Sequence, residues 1–197
     1  MIRQIIKELR NHAPFTMFGA VTGIIIMMLF RNLPKDISYN LFYVFHPAHI
    51  LLSALVTASM YGIYKKGKYK LWMLLAIGYL GSVGIATLSD SVIPYLGEAL
   101  LRMPDREIHL GFIEEWWLVN PLAIAGILIA YFKPSTKFPH ALHVLLSTWA
   151  SLFHIIMAVG GSLNWVSYIV AFIFLFIAVW IPCCVSDIVF PLLFIKD

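Results

Sequence analysis

The chain has 197 residues, 61% of them apolar and only 12% charged, with a mean hydropathy of +0.86. Soluble domains run nearer half apolar and a quarter charged, so this composition excludes an ordinary water-soluble globule and describes an integral membrane protein. The net charge of +4 does not point to nucleic acid, because the basic residues sit in short segments between apolar runs, where they act as topology determinants.

In chain order, residues 1–12 predict a short basic amphipathic helix at the membrane surface, with Ile2, Ile5, Ile6 and Leu9 on one side. No small-residue cleavage site follows the first apolar run, so the first helix is expected to be retained. A first span is expected at about 14–30, where Gly19 and Gly23 form a small-residue face for close helix contact. A second, at about 41–64, is followed by the basic run Lys65-Lys66-Gly67-Lys68-Tyr69-Lys70. A third, at about 71–96, is rich in glycine.

The segment 98–115 carries five of the ten acidic residues and reads as a polar linker whose Glu98, Asp105, Glu107, Glu114 and Glu115 form a solvated face. Three further spans follow at about 116–132, 138–163 and 165–195. The expected fold class is therefore an all-α integral membrane protein with six transmembrane helices. The adjacent Cys183 and Cys184 are the only cysteines, so no disulfide framework is expected.

The chain also repeats itself. His46-Pro47-Ala48-His49-Ile50-Leu51-Leu52-Ser53 is echoed by His140-Ala141-Leu142-His143-Val144-Leu145-Leu146-Ser147, matching at both His, both Leu and the Ser. Ser89-Asp90-Ser91-Val92-Ile93-Pro94 is echoed by Ser186-Asp187-Ile188-Val189-Phe190-Pro191. The offsets, 94 and 97 residues, nearly agree, as a duplicated unit requires. Residues 1–97 and 116–197 thus read as two related halves joined by 98–115.

With the N-terminus inside, cytoplasmic segments hold ten Lys and Arg residues and external segments hold four: Arg31, Lys35, Arg102 and Arg106. This places both termini in the cytoplasm and the chain in the cell membrane. Three spans per half is an odd number, so the halves are expected as inverted-topology three-helix repeats, an arrangement common in secondary transporters.

Histidines three residues apart share a helix face, so His46 with His49, and His140 with His143, can each aim two imidazoles at one place. Imidazole suits zinc, copper, iron and nickel, and a carboxylate could complete either set, so the expected cofactor is a divalent metal ion: zinc, iron or manganese. Asp90 and Asp187 are costly in a bilayer unless paired or protonated, which makes them functional candidates. Proline four residues after each removes the hydrogen bond to the aspartate's carbonyl and loosens the helix there. Helix rise places His154 about 16 Å beyond His143. The expected sets are an outer cluster of His46, His49, His154 and Asp90, and an inner cluster of His140, His143 and Asp187. Cys183 and Cys184 lie on the same side as Asp187 and could join the inner set.

These features point to a membrane transporter or channel for a cation, a divalent transition metal or a proton-coupled solute. The alternative is an intramembrane metal-dependent enzyme acting on a lipid-like substrate, although neither H-E-x-x-H nor a Ser/His/Asp order is present. Haem is a third reading, with His46 facing His154 and Met60 facing His140 as axial pairs. The expected partners are the lipid bilayer, metal ions or protons, and no nucleic acid. Gly19 with Gly23, and Gly78 with Gly81 and Gly84, permit a homodimer or packing within one chain.

Overall fold

A computed structural model describes residues 2–30, 32–159 and 164–195, and the side chain of the candidate His140 lies outside what it describes. The described residues form helices and connections without a strand. The helices are α1 (Ile2–Phe30), α2 (Lys35–Tyr64), α3 (Leu71–Leu100), α4 (Trp116–Phe132), α5 (Lys137–Ala158) and α6 (Trp165–Leu193). A single turn, Gly111–Glu114, precedes α4. Five of the six helices are long and apolar enough to cross a membrane, and the sixth, α4, has 17 residues.

Three boundaries differ from the sequence reading. The surface helix and the first span are one continuous helix that runs through Pro14. α2 begins at Lys35, directly after Pro34, and so carries His46 and His49 further from its start than expected. α3 runs on to Leu100 and takes Glu98 into the helix, where it is buried.

α2 and α5 form the centre. Phe42 meets His154, Phe45 meets Trp149, His49 meets His143, and the Ser135 amide bonds to Ser59 Oγ, so these two helices run antiparallel. α4 packs on α2 and α3, while α1 packs on α5 and α6.

Small residues permit these contacts. Gly19 and Gly23 approach Thr148 of α5, and Gly23 also meets Leu175 of α6. On α4, a Cβ at Gly126 would overlap the Leu51 carbonyl oxygen of α2. Gly126→Ala is thus expected to destabilise the fold by roughly 1–3 kcal/mol, because the obstacle is backbone and cannot swing aside. Gly84→Ala, with nothing within 4 Å of its Cβ, should be neutral or stabilising. Thermal unfolding in detergent separates the two.

Both long hairpin helices end alike. At α2, Gly67 N–H bonds to Gly62 O and Lys66 N–H to Ile63 O; at α3, Met103 N–H bonds to Glu98 O and Arg102 N–H to Ala99 O. These are Schellman caps, which need a left-handed residue. Lys66 (φ 50°) and Arg102 (φ 53°) occupy that position.

Candidate functional site

The site begins with a stripe on each central helix. On α2, His46, His49, Ser53 and Thr57 are buried, and on α5, His143, Ser147, Ser151 and His154 are buried. Spacings of three and four residues keep each set on one helix face. The two faces oppose one another, with α3 and α6 closing the sides.

Asp90 and Asp187 each sit at the middle of a π-helical turn, Leu88–Val92 and Val185–Val189, with Pro94 and Pro191 just beyond. Proline offers no N–H to the carbonyl four residues back, so the ladder widens there. The widened turn carries the aspartate inward.

Asp90 is fully buried. Its Oδ2 accepts from His46 Nδ1 at 2.8 Å and His49 Nδ1 at 2.7 Å, and its Oδ1 accepts from Ser89 Oγ and Ser147 Oγ, both at 2.7 Å. A carboxylate can only accept, so both imidazoles carry their proton on Nδ1 and turn Nε2 away. His49 Nε2 then lies 3.9 Å from Cys183 Sγ. The His49 ring stacks on His143, with centroids 5.6 Å apart, and His143 Nε2 lies 3.1 Å from Asp187 Oδ2. Ligand atoms of His49, His143 and Cys183 all fall within 4.8 Å of one another.

Two pairs of similar hydrogen bonds join the central helices to α3 and α6. Ser147 Oγ meets Ser89 Oγ at 3.3 Å, and Ser53 Oγ meets Ser186 Oγ at 3.2 Å. Ser151 Oγ donates to Ser89 O at 2.9 Å, and Thr57 Oγ1 donates to Ser186 O at 3.3 Å. In each pair, one bond joins α5 to α3 and the other joins α2 to α6.

The expected cluster memberships change in two respects. The outer and inner sets, expected on opposite sides, adjoin through His49 and His143, because α2 starts earlier and holds its histidines deeper. His154 does not bond Asp90; its Nδ1 lies 2.7 Å from Glu98 Oε1. Glu98, expected on a solvated face, is 1% exposed. It stands two turns beyond Asp90 on the same face of the extended α3, nearer to His154 than Asp90 is. His46 and His154, one of the expected haem pairs, both pack against the Phe42 ring, at 5.0 and 5.5 Å.

The linker roofs this end. His109, 6% exposed, packs on His154 and Phe42. Gly111 lies over His46, where a Cβ would sit 2.7 Å from Nε2. Glu114 accepts from Tyr43 Oη at 2.6 Å, His109 Nδ1 at 3.1 Å and the Leu110 amide at 2.9 Å. Beneath the roof, His46 Nε2, His154 Nε2 and Glu98 Oε2 are buried without a hydrogen-bond partner.

Partial burial opposes ionisation of Glu114, but the bonds from Tyr43, His109 and the Leu110 amide outweigh it and hold the carboxyl below its usual range. A depressed folded-state pKa gives stability that is present above the ordinary carboxylate value and lost as pH falls through the depressed one. The roof is therefore expected to loosen on acidification below about pH 4.5, read as faster hydrogen exchange at Leu110. Glu114→Gln should flatten that dependence.

The bundle ends differ in charge. One carries Lys65, Lys66, Lys68, Lys70 and Lys133 at the hairpin turns; the other carries Asp36, Asp105, Glu107, Glu114 and Glu115 with Lys35, Arg102 and Arg106. Lys35 and Glu107 pair across the latter end at 3.6 Å.

No family model matches the chain, and no curated protein or solved structure matches it.

Proposed function

We propose that this protein is a transporter for a thiophilic divalent cation, zinc foremost, built as two inverted three-helix repeats with six spans and its basic end in the cytoplasm. The observation that carries the reading is the meeting of His49 of α2, His143 of α5 and Cys183 of α6. Two nitrogens and a sulfur suit zinc and disfavour manganese. A tetrahedral zinc with bonds of about 2.0–2.3 Å places neighbouring N and S ligands roughly 3.5 Å apart. The 3.9 Å between His49 Nε2 and Cys183 Sγ is near that spacing, and the set as a whole, within 4.8 Å, would close further around a metal. Behind the ligands, Asp90 bonds the far nitrogen of His49, the carboxylate support that orients metal-binding histidines.

The ligands come from both halves, His49 from the first and His143 with Cys183 from the second. A rocking of one half against the other would take the site apart and expose it to one side at a time, as alternating access requires. The matched Ser–Ser and hydroxyl–carbonyl bonds support the duplication, and the antiparallel central helices support its inversion. α4, about 25 Å long at 1.5 Å per residue, spans with modest local thinning of the bilayer. Five carboxylates, Asp36, Asp105, Glu107, Glu114 and Glu115, stand at the end opposite the hairpin-turn lysines, where they favour the approach of a cation. His49, His143 and Cys183 are each at most 2% exposed, which suits a small ion better than a bulky lipid-like substrate and favours transport over the enzyme reading.

Zinc uptake into proteoliposomes tests the proposal. Saturable uptake by the native chain that disappears in His143→Gln and in Cys183→Ala is the expected result. Uptake that persists unchanged in both variants would sink it.

A further inference from the structure

At the basic end, the turn between α2 and α3 encloses a cleft of about 440 Å³ lined by Lys65, Lys68, Lys70, Tyr61, Tyr69 and Trp72 among others. We infer that this cleft binds the headgroup of an anionic membrane phospholipid.

Four observations converge on it. The first is charge: four lysines fall within six residues, and the sequence holds no acidic residue between Asp36 and Asp90. Among the ion pairs of the described residues none uses these lysines. The second is the floor. Tyr61 and Tyr69 lie with ring centroids 5.9 Å apart, and Tyr69 crosses Gly62, where a Cβ would come within 3.3 Å of the ring. A larger residue there would lift the ring and fill the cleft.

The third is rigidity. The Schellman cap and the bond from Lys68 N–H to Lys65 O at 2.9 Å set the turn before any ligand arrives, so little ordering cost remains on binding. The cap also holds Lys66 at φ 50°, a conformation glycine adopts more easily, so charge stands where backbone preference alone would favour glycine.

The fourth is location, and it selects a lipid over free phosphate. Ile63, Leu71 and Trp72 border the turn and are 51%, 46% and 60% exposed, at the ends of two helices apolar enough to cross a bilayer. Amphipathic tryptophan beside lysine marks the headgroup level. Exposed lysines in water hold a small anion weakly, whereas a lipid adds its acyl chains along those apolar side chains. A zwitterionic headgroup brings its own cation against the lysines and loses that advantage.

The test uses the detergent-purified full chain with phosphatidylglycerol, phosphatidylcholine or inorganic phosphate, read by native mass spectrometry and thermal unfolding. Phosphatidylglycerol is expected to stay bound and raise Tm, while the other two do neither. The triple variant Lys65→Gln, Lys68→Gln, Lys70→Gln should bind phosphatidylglycerol at least about tenfold more weakly, with its Tm in phosphatidylcholine unchanged. Lys133→Gln, at the same end but outside the cleft, should bind as the native chain does. Equal retention of phosphatidylcholine, full affinity in the triple variant, equal losses in Lys133→Gln, or stabilisation by inorganic phosphate alone would each overturn the inference. It stands or falls without reference to zinc.

Discussion

Asp90→Ala is expected to cost the folded protein about 3–5 kcal/mol, the penalty for breaking a buried charged network on one side. The variant would leave two imidazole N–H groups and two hydroxyls without their shared acceptor, and each unpaired buried group is worth roughly 1–3 kcal/mol. These losses overlap, because Ser89 and Ser147 already meet at 3.3 Å and can bond one another. Asp90→Asn separates charge from shape. Its amide oxygen can take the two histidine protons while its NH₂ faces the serine hydroxyls, whose oxygens accept. The asparagine variant should therefore fold with little loss and bind zinc some 10–100-fold more weakly, the usual effect of removing a carboxylate from behind a ligating histidine. Chemical unfolding in detergent paired with zinc titration distinguishes the two. Equal stability of the alanine and native chains would mean that the four bonds to Asp90 contribute nothing.

The second large effect concerns the ligands themselves. Structural zinc sites with four protein ligands release on the order of 10–16 kcal/mol, roughly 3–4 kcal/mol per ligand, so losing one of the three ligands proposed here is expected to cost roughly a hundredfold or more in affinity. Cys183→Ala and His49→Gln are each expected to show this loss, and the pair together little further loss once the site is gone. Cobalt offers an independent readout: a thiolate-to-metal absorption band is expected in the native chain and in His143→Gln at high cobalt, and is expected to be absent from Cys183→Ala. Cys184 is also buried, yet only Cys183 stands within reach of His49 and His143. Cys184→Ala should therefore leave zinc binding unchanged. If the two cysteine variants behave alike, the thiol is not a ligand.

Much of this architecture is written in the residues. The apolar runs specify helices because a backbone in lipid must satisfy its own hydrogen bonds. The two echoes, His-x-x-His with its serine and Ser-Asp with its proline, mark the positions that later face one another. Serine is part of both echoes, and Ser53 with Ser186 links α2 to α6 as Ser147 with Ser89 links α5 to α3. The proline after each aspartate foretells a loosened helix, and a π turn stands at both.

Other features depend on helix ends and on depth, which periodicity does not report. Glu98 lies eight residues after Asp90, two turns along one face, but it reads as the start of a polar linker unless α3 is known to continue to Leu100. His109 and Gly111 look like linker residues, and only the folding back of 101–115 over α2 and α5 makes them a roof. The pairing of His154 with Glu98 follows from that longer helix. Sequence by itself determined the apolar helices and singled out the histidine, aspartate and cysteine candidates, because these rest on local hydropathy and spacing. Tertiary structure alone decided that His49 joins His143 and Cys183 in one place, because the packing of α2 against α5 and α6 brings together residues 94 and 134 positions apart.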